Sequence, residues 1–557
     1  MKSSIEINQQ AQLAPIHEVA AKLGLGEDDV DSSGKYVSKV RLEVLDKLKG
    51  RPDGKLVLVT AMTPTKYGEG KTLTTIGIGQ ALQKLGKKGV ITLREPSVGP
   101  VFGVKGGGTG GGYAQVAPME KINLHFTGDL HAISTAHNLL AALIDNHIYQ
   151  GNQRNIDLRH ILWPRTVDIN DRVLRQTVIG LGKPTNGFPR ESGFVLTSAS
   201  EVMAILALAT SRADLKQRLA KMTVAFDRDG KLVRAGDLGA HKSLAVVLKE
   251  AIQPNLAQTL EHSPAFIHGG PFANIAHGSC SVLSNQLALK LADYVVTEAG
   301  FASDLGAEKF FDLVCRSAGY WPSAVVIVAT CRAIKHQGGA ADADLTKESP
   351  EHFEKGLANL EAHIRNVQQF GVPAVVAVNR FPFDTDAEVE AVVEHCRKIG
   401  AACAAHEAFM KGGEGALDLA RQVVQVADSG RAGVPQYIYE LDDPIPEKLE
   451  KLATRVYGAD GVIIEPTAQK QINSYVKMGC GNLPLCMAKT QASLSDVPSA
   501  RGVPKGWKLR VTEVRLSAGA GFLVIIAGNM MLMPGLPKVP AAMRMDIDDD
   551  GNITGLS

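Results

Sequence analysis

Short apolar runs alternate with stretches of helical spacing through the first two thirds of the chain, the pattern of strands and crossover helices in a mostly parallel sheet. Residues 17–23 and 37–48 carry apolar side chains at helical spacing, and a Gly50-Arg51-Pro52-Asp53-Gly54 turn precedes the first buried run, 56–60. Helical spacing over 74–85 and a second short run over 89–93 complete a βαβ unit. Residues 129–149 have the length and spacing of a long helix. Residues 152–183, rich in Arg and Asp, read as a surface lobe of short elements, followed by helices over 200–210 and 213–221 and a turn over 227–230. The sheet resumes at 265–268. Runs at 294–297, 324–329 and 374–378 are continuously apolar, as parallel strands covered on both faces require, with helical spacing at 303–317 and 351–370 between them. Past residue 384 strands shorten and helices dominate until 509–516 and 521–527, which read as an antiparallel pair.

This pattern predicts an α/β protein: a P-loop NTPase-type, mostly parallel sheet flanked by helices, with additional smaller α/β domains. Residues 1–383 form the large nucleotide-binding body, with an inserted lobe at about 152–240, and 384–557 form a C-terminal α/β region. Chain length agrees, since 557 residues exceed what one compact core accommodates.

The junction Thr60-Ala61-Met62-Thr63-Pro64-Thr65-Lys66-Tyr67-Gly68-Glu69-Gly70-Lys71-Thr72 falls between a predicted strand and a predicted helix. Gly70-Lys71-Thr72 supplies the core of a phosphate loop: backbone N–H groups and the helix N-terminus face phosphate oxygens, the lysine neutralises them, and the hydroxyl reaches Mg²⁺. The usual pattern has glycine where this chain has Thr65, so the motif alone also fits a glycine turn ahead of an exposed lysine. Residues 103–116 are glycine-rich and carry Lys105 and Tyr113 among Gly106, Gly107 and Gly108. A loop wrapping an anion suits this composition better than a linker, because apolar residues lie so close by. Gly77-Ile78-Gly79 is part of a dinucleotide fingerprint, but it sits inside a helix and lacks the third glycine.

Composition narrows the partners. The 60 basic and 58 acidic side chains leave a net charge of +2, too balanced for nucleic acid or an anionic membrane as main partner. Mean hydropathy is near zero. Residues 1–26 lack the apolar core of a signal peptide, and no run reaches the roughly 20 residues that span a bilayer. The 7 cysteines form no CxxC pair, which points away from a zinc cage or redox dithiol and towards reduced thiols in the cytoplasm.

Lys71, Arg94, Lys105 and Arg332 fall at or near loops that follow strands, where fixed positive charge could gather a phosphate chain and a second anion; each alone equally fits a solvated surface charge. Glu95 and Asp129 are candidates for magnesium or for orienting these cations, and equally fit ordinary salt bridges. His125, His131 and His268 lack metal-ligand spacing and read as hydrogen-bonding pocket residues. Phe381-Pro382 and Phe409 could offer aromatic faces to a flat heterocycle, or simply pack in the core. No Gly-x-Ser-x-Gly elbow signals a hydrolase.

Taken together, residues 103–118, Val328 to Gly339, Phe266 to Gly278, Glu69-Gly70-Lys71-Thr72 and Met533-Pro534-Gly535-Leu536-Pro537 resemble the signatures of the formate–tetrahydrofolate ligase family nearly end to end. The resemblance implies that MgATP phosphorylates formate and that N10 of tetrahydrofolate attacks the formyl phosphate, giving 10-formyltetrahydrofolate, ADP and phosphate. On this chain it implies that Thr65, Gly68, Glu69, Gly70, Lys71 and Thr72 hold ATP, with Thr72 supporting Mg²⁺. Lys71 bridges ATP and formyl phosphate, which Arg94 and the loop of Lys105, Gly106, Gly107 and Gly108 hold. Asp129 lies in the active site, Phe381, Pro382 and Phe409 flank the pterin, and Glu95, Tyr113, His125, His268 and Arg332 are further pocket candidates. A cytoplasmic homotetramer is implied, with polyglutamylated folate a possible substrate and a monovalent cation a candidate cofactor. Lys66-Tyr67 stands where the family carries Pro-Ala, Leu73 where it carries Thr, and Phe409 where it carries Trp, which bears on loop stiffness and on folate affinity. From the phosphate loop alone, a P-loop ATPase switch or another acyl phosphate-forming ligase remains open.

Overall fold

The computed structural model describes residues 2–103, 106–528 and 530–556. Its centre is a 12-stranded sheet. In chain order the strands are β1 (Val30–Ser32), β2 (Ser38–Val40), β3 (Lys55–Ala61), β4 (Gly89–Leu93), β5 (Gly110–Gly111) and β6 (Ala114–Ala117). They continue as β7 (Asn255–Thr259), β8 (Pro264–Ile267), β9 (Tyr294–Glu298), β10 (Pro322–Ala329), β11 (Ala374–Asn379) and β12 (Ala402–His406). Spatial order is β1-β2-β7-β8-β4-β9-β3-β10-β11-β12, with the β5–β6 hairpin attached to β7. From β8 to β12 neighbouring strands are parallel, whereas β1, β2, β6 and β7 pair antiparallel.

Alternation along each central strand divides the core in two. Leu56 and Leu58 of β3, Val295 of β9 and Val325 and Ile327 of β10 face one buried cluster. Val57, Val59, Val296, Ala324 and Val326 face the other. Both faces exclude water, which is why these runs read as continuously apolar. Helix α1 (Lys71–Lys84) covers the second face. Its Gly77 and Gly79 are packing residues, since an added Cβ would stand 2.6 Å from Ala408 Cβ and 2.3 Å from Ile91 Cγ2 respectively.

Several sequence expectations change. The helix expected over 37–48 is instead β2 followed by a short helix, Glu43–Lys47, because all of Ser38–Val40 is buried between β1 and β7. Tertiary pairing there overrides local spacing. Strand β7 was not expected; Asn255, Gln258 and Thr259 are polar yet buried. The helix over 303–317 is mostly π-type, with Ser303–Ala307 and Phe310–Cys315 in that form. The C-terminal antiparallel pair is Glu513–Ser517 with Phe522–Ile526, whereas Leu509–Val511 pairs in parallel with Val462–Ile464. The lobe after residue 152 has its own three-stranded sheet, Ile156–Ile161, Thr223–Asp227 and Leu232–Arg234. The main sheet itself continues past residue 384, through β12.

Candidate functional site

Strand order creates a switch point. After β3 the chain crosses through α1 to β4, two places away on one side; after β10, which lies on the other side of β3, it moves outward to β11 and β12. Connections therefore diverge at the carboxyl ends of β3 and β10, where open α/β sheets leave a crevice for ligands.

The segment after β3 is tied down from both flanks. Glu69 is 1% exposed, and its carboxylate accepts from Thr65 N at 2.6 Å, from Thr65 Oγ1 at 2.8 Å and from the Thr330 hydroxyl. Thr330 caps helix α2 (Cys331–Gln337), accepting from Ala333 N at 3.1 Å. Asn379 Nδ2, at the end of β11, donates to the Glu69 carbonyl at 3.1 Å. Arg332 donates to the Gly68 carbonyl. Gly70 has φ +81, and an added Cβ would lie 2.4 Å from Asn379 Nδ2, so glycine meets both a left-handed and a steric requirement.

Lys71 opens α1 and is half-buried. Burial holds its ammonium below the usual lysine range; Glu298 opposes the shift and nearby Arg94 adds to it. Thr72 Oγ1 donates to Glu298 Oε2 at 2.8 Å, joining α1 to the end of β9. Arg94 follows β4 directly; its Nη1 donates to the Pro271 carbonyl at 3.2 Å, and its buried Nε has no partner among the described residues. The Lys71 ammonium and the Arg94 guanidinium thus lie at one sheet edge with donor capacity to spare.

Beside Arg94, Glu95 is buried with Oε2 unpaired among the described residues, and desolvation followed by the charge of Asp129 pushes its carboxyl well above the usual range. Asp129 begins the long helix α3 (Asp129–Tyr149) and is 2% exposed. Its carboxylate binds Lys39 Nζ at 2.8 and 3.0 Å and accepts from Asn255 Nδ2 at 2.8 Å. His268 Nε2 lies 4.0 Å from Asp129 but donates to the Ala251 carbonyl at 2.7 Å, while Nδ1 is 2.7 Å from Ser281 Oγ. Burial lowers its pKa to about 4, so it is a neutral, satisfied core histidine at neutral pH.

The glycine-rich segment folds against this corner. Gly108 N donates to Asn123 Oδ1 at 3.1 Å, and a Cβ on Gly108 would lie 3.3 Å from Pro96 and 3.4 Å from the Arg94 carbonyl. A Cβ on Gly107 would strike Asn123 at 2.2 Å; Gly106 is exposed, and Lys105 lies outside the described residues. Tyr113 N donates to the Phe409 carbonyl at 2.9 Å, and both side chains are exposed. His125 is exposed too.

Phe381 and Phe409 follow the adjacent strands β11 and β12, so both stand at the same sheet edge. Phe381 is half-buried: the Arg332 guanidinium lies 4.3 Å from its centroid, and Phe383 stacks at 5.4 Å with planes 11° apart. Pro382 is exposed. Lys66 pairs with Asp342 at 2.7 Å, and the Tyr67 ring stands 5.5 Å from Arg332.

Thr330 falls inside the segment Val328 to Gly339 that the sequence singles out, and Glu298 and Asn379 directly follow the apolar runs 294–297 and 374–378, but none of the three was given a role. Sequence reasoning missed Lys39, Asn255 and Phe383, and only Phe383 carried a signal, its closeness to Phe381.

Fold and site define an α/β protein of the kind that holds ligands beyond the carboxyl ends of parallel strands. The family model for formate–tetrahydrofolate ligase matches residues 2–557, and the chain belongs to that family of ATP-dependent ligases.

Proposed function

We propose that the chain acts through an acyl phosphate. A formate oxygen attacks the γ-phosphorus of ATP and ADP departs; the N10 lone pair of tetrahydrofolate then attacks the formyl carbon, phosphate leaves with the C–O bonding pair, and N10 gives up its proton. The products are 10-formyltetrahydrofolate, ADP and phosphate. The observation that carries this reading is the convergence of Lys71 and Arg94 at the sheet switch point, with Arg94 Nε buried and unpaired among the described residues. Two successive anions, the ATP phosphates and formyl phosphate, need fixed cations in one desolvated place.

In this reading the segment 65–72 is a P-loop. Lys71 neutralises the transferring phosphoryl group, and Arg94, with the glycine-rich loop including Lys105, orients formyl phosphate. Thr72 and Glu298 offer the hydroxyl and carboxylate oxygens that suit Mg²⁺ and would hold it. When bound, that ion supplies further neutralisation of phosphate charge. Phe381, backed by Arg332, and Phe409 flank the pterin. Asp129, locked to Lys39, shapes the site electrostatically. The assembly is a cytoplasmic homotetramer with residues 1–383 as nucleotide body and 384–557 completing the folate side.

Enzyme given ATP, Mg²⁺, formate and tetrahydrofolate, then acidified, should show the absorbance of the methenyl form; no signal overturns the ligase reading. With [¹⁸O]formate, label should appear in the released phosphate, and unlabelled phosphate sinks the acyl phosphate step. Lys71→Ala should lower kcat by about 10²–10³-fold or more with an unchanged melting temperature, and near-normal turnover would remove Lys71 from the role given to it.

A further inference from the structure

We infer that Cys331, Asp384 and Glu388 form a binding site for one divalent ion of the zinc class, which ties the helix after β10 to the segment after β11.

Cys331 opens α2 directly after Thr330, and Asp384 and Glu388 lie in the turn and the helix (Asp386–Lys398) that follow β11. The Cys331 sulfur and one carboxylate oxygen from each acid all lie within 4.8 Å of one another. An ion centred among donors so spaced is within about 2.8 Å of each, so side-chain shifts of about half an ångström reach zinc-class bond lengths of about 2.0–2.3 Å. Water is largely kept out: Cys331 is fully buried, Asp384 is 5% exposed and the Glu388 side chain 10%.

Asp384 supplies the observation that calls for a cation. Its Oδ2 accepts from Phe381 N at 2.8 Å, whereas Oδ1 is buried with no partner among the described residues. A bare buried carboxylate oxygen is costly. Glu388 Oε1 accepts from Lys335 Nζ at 2.9 Å and Oε2 from Thr385 N at 3.3 Å, and each oxygen keeps a second lone pair. Lys335, itself fully buried, offsets only one of the two carboxylates. With the sulfur as thiolate, the ligands hold three negative charges; a divalent ion and Lys335 together hold three positive ones, so the buried centre becomes neutral. The ion replaces the thiol proton: the S–H bond breaks, a metal–sulfur bond forms, and the proton passes to solvent. Sulfur favours a softer ion than Mg²⁺, and three protein ligands leave the fourth tetrahedral position to water.

The ion has a way in. A groove of about 690 Å³ runs between the helices Pro350–Gln368 and Asp386–Lys398, with Thr385 and Glu388 in its lining. Five glutamates line it, Glu388 among them, against Lys398 and His395, so cations gather at its mouth.

The test uses intact, reduced enzyme freed of metal by dialysis against a chelator and then held in excess Mg²⁺, with Co²⁺ as the probe. One equivalent of Co²⁺ should give near-ultraviolet thiolate-to-cobalt charge transfer together with the visible bands of a four-coordinate ion, and Zn²⁺ should displace it and bleach both. Cys331→Ser should lose the charge-transfer band, and Asp384→Asn should weaken Co²⁺ binding by about tenfold or more. No band in wild type overturns the proposal, as does a band of full strength in Cys331→Ser, which would put the cobalt on another of the 7 cysteines. Should Cys331→Ser fail to fold, Glu388→Gln still offers an acceptor to Thr385 N and carries the test: the band should remain while affinity falls by about tenfold or more, and unchanged affinity refutes the site. None of these readouts depends on turnover, so their failure and that of the ligase reading are separate.

Discussion

Two glycines in the same loop separate backbone strain from close approach. Gly68 and Gly70 have φ of +75 and +81, so a Cβ at either position adds the left-handed cost of about 1–2 kcal/mol. At Gly68 that Cβ would meet nothing within 4 Å, whereas at Gly70 it would lie 2.4 Å from Asn379 Nδ2, the atom that holds the Glu69 carbonyl. Gly68→Ala should therefore lower stability by about 1–2 kcal/mol and leave turnover within a few fold. Gly70→Ala should add to that loss and cut kcat/KM by about tenfold or more, since a displaced loop forfeits at least about 1.4 kcal/mol of positioning. Urea denaturation beside steady-state assays checks both, and equal kinetic effects in the two variants would refute the role given to Asn379. The motif disclosed that glycines belong here but not which one is irreplaceable, because Asn379 approaches from a strand about three hundred residues away.

Elements joined by buried charge were the least legible part of the sequence. β4 and α3 fall where the apolar pattern places them, because β4 is a continuous run buried on both faces and α3 buries one face at helical spacing. β2 and β7 escaped that reading: Lys39 of β2 and Asn255 of β7 are buried only because Asp129, at the start of α3, satisfies both. A lysine carries no sign in sequence of a partner this distant, so polar strands look like loops or helix surface. This contact fastens the antiparallel edge of the sheet to the helix whose first residue, Asp129, carries the charge that acts on Glu95. Lys39→Met should destabilise the protein by about 3–5 kcal/mol, because Asp129 would be left charged, buried and without its cation. Lys39→Met combined with Asp129→Leu should recover most of that loss in urea denaturation. A single variant as stable as wild type would show that Asn255 alone satisfies the carboxylate.

Across the whole molecule, six of the seven parallel strands were readable at their apolar centres, β12 being the exception, and the candidate site was readable only at its strand ends, where Glu69, Thr72, Arg94, Glu298, Arg332 and Phe381 converge from separate motifs. What composition could not reveal is how many titratable groups this fold holds neutral. Burial lowers His137, His268, His363 and His406 to about 4 and His277 to about 3. The unfolded chain takes up these protons first as pH falls below about 6.5, so each histidine withdraws stability at up to about 1.4 kcal/mol per pH unit on the way down. Burial acts oppositely on acids: Glu201, whose carboxylate accepts from Gly519 N and Ala520 N, and Asp312 rise to about 7, and Glu95 and Glu308 rise well above their usual value. Their stability is complete below the unfolded pKa of about 4 and is lost as pH climbs above it, for Glu201 and Asp312 up to about 7. The two sets oppose one another between about pH 4.5 and 6.5, so the melting temperature should be nearly flat there; both pressures end near pH 4, where the unfolded carboxyls and the folded histidines, His277 excepted, take up their protons together. Glu201→Gln keeps an acceptor for Gly519 and Ala520 but cannot ionise; its gain in melting temperature over wild type should be largest above pH 7 and vanish near pH 4. A steady decline from pH 6.5 downward would mean that the acids are ionised in the folded state and that water reaches them.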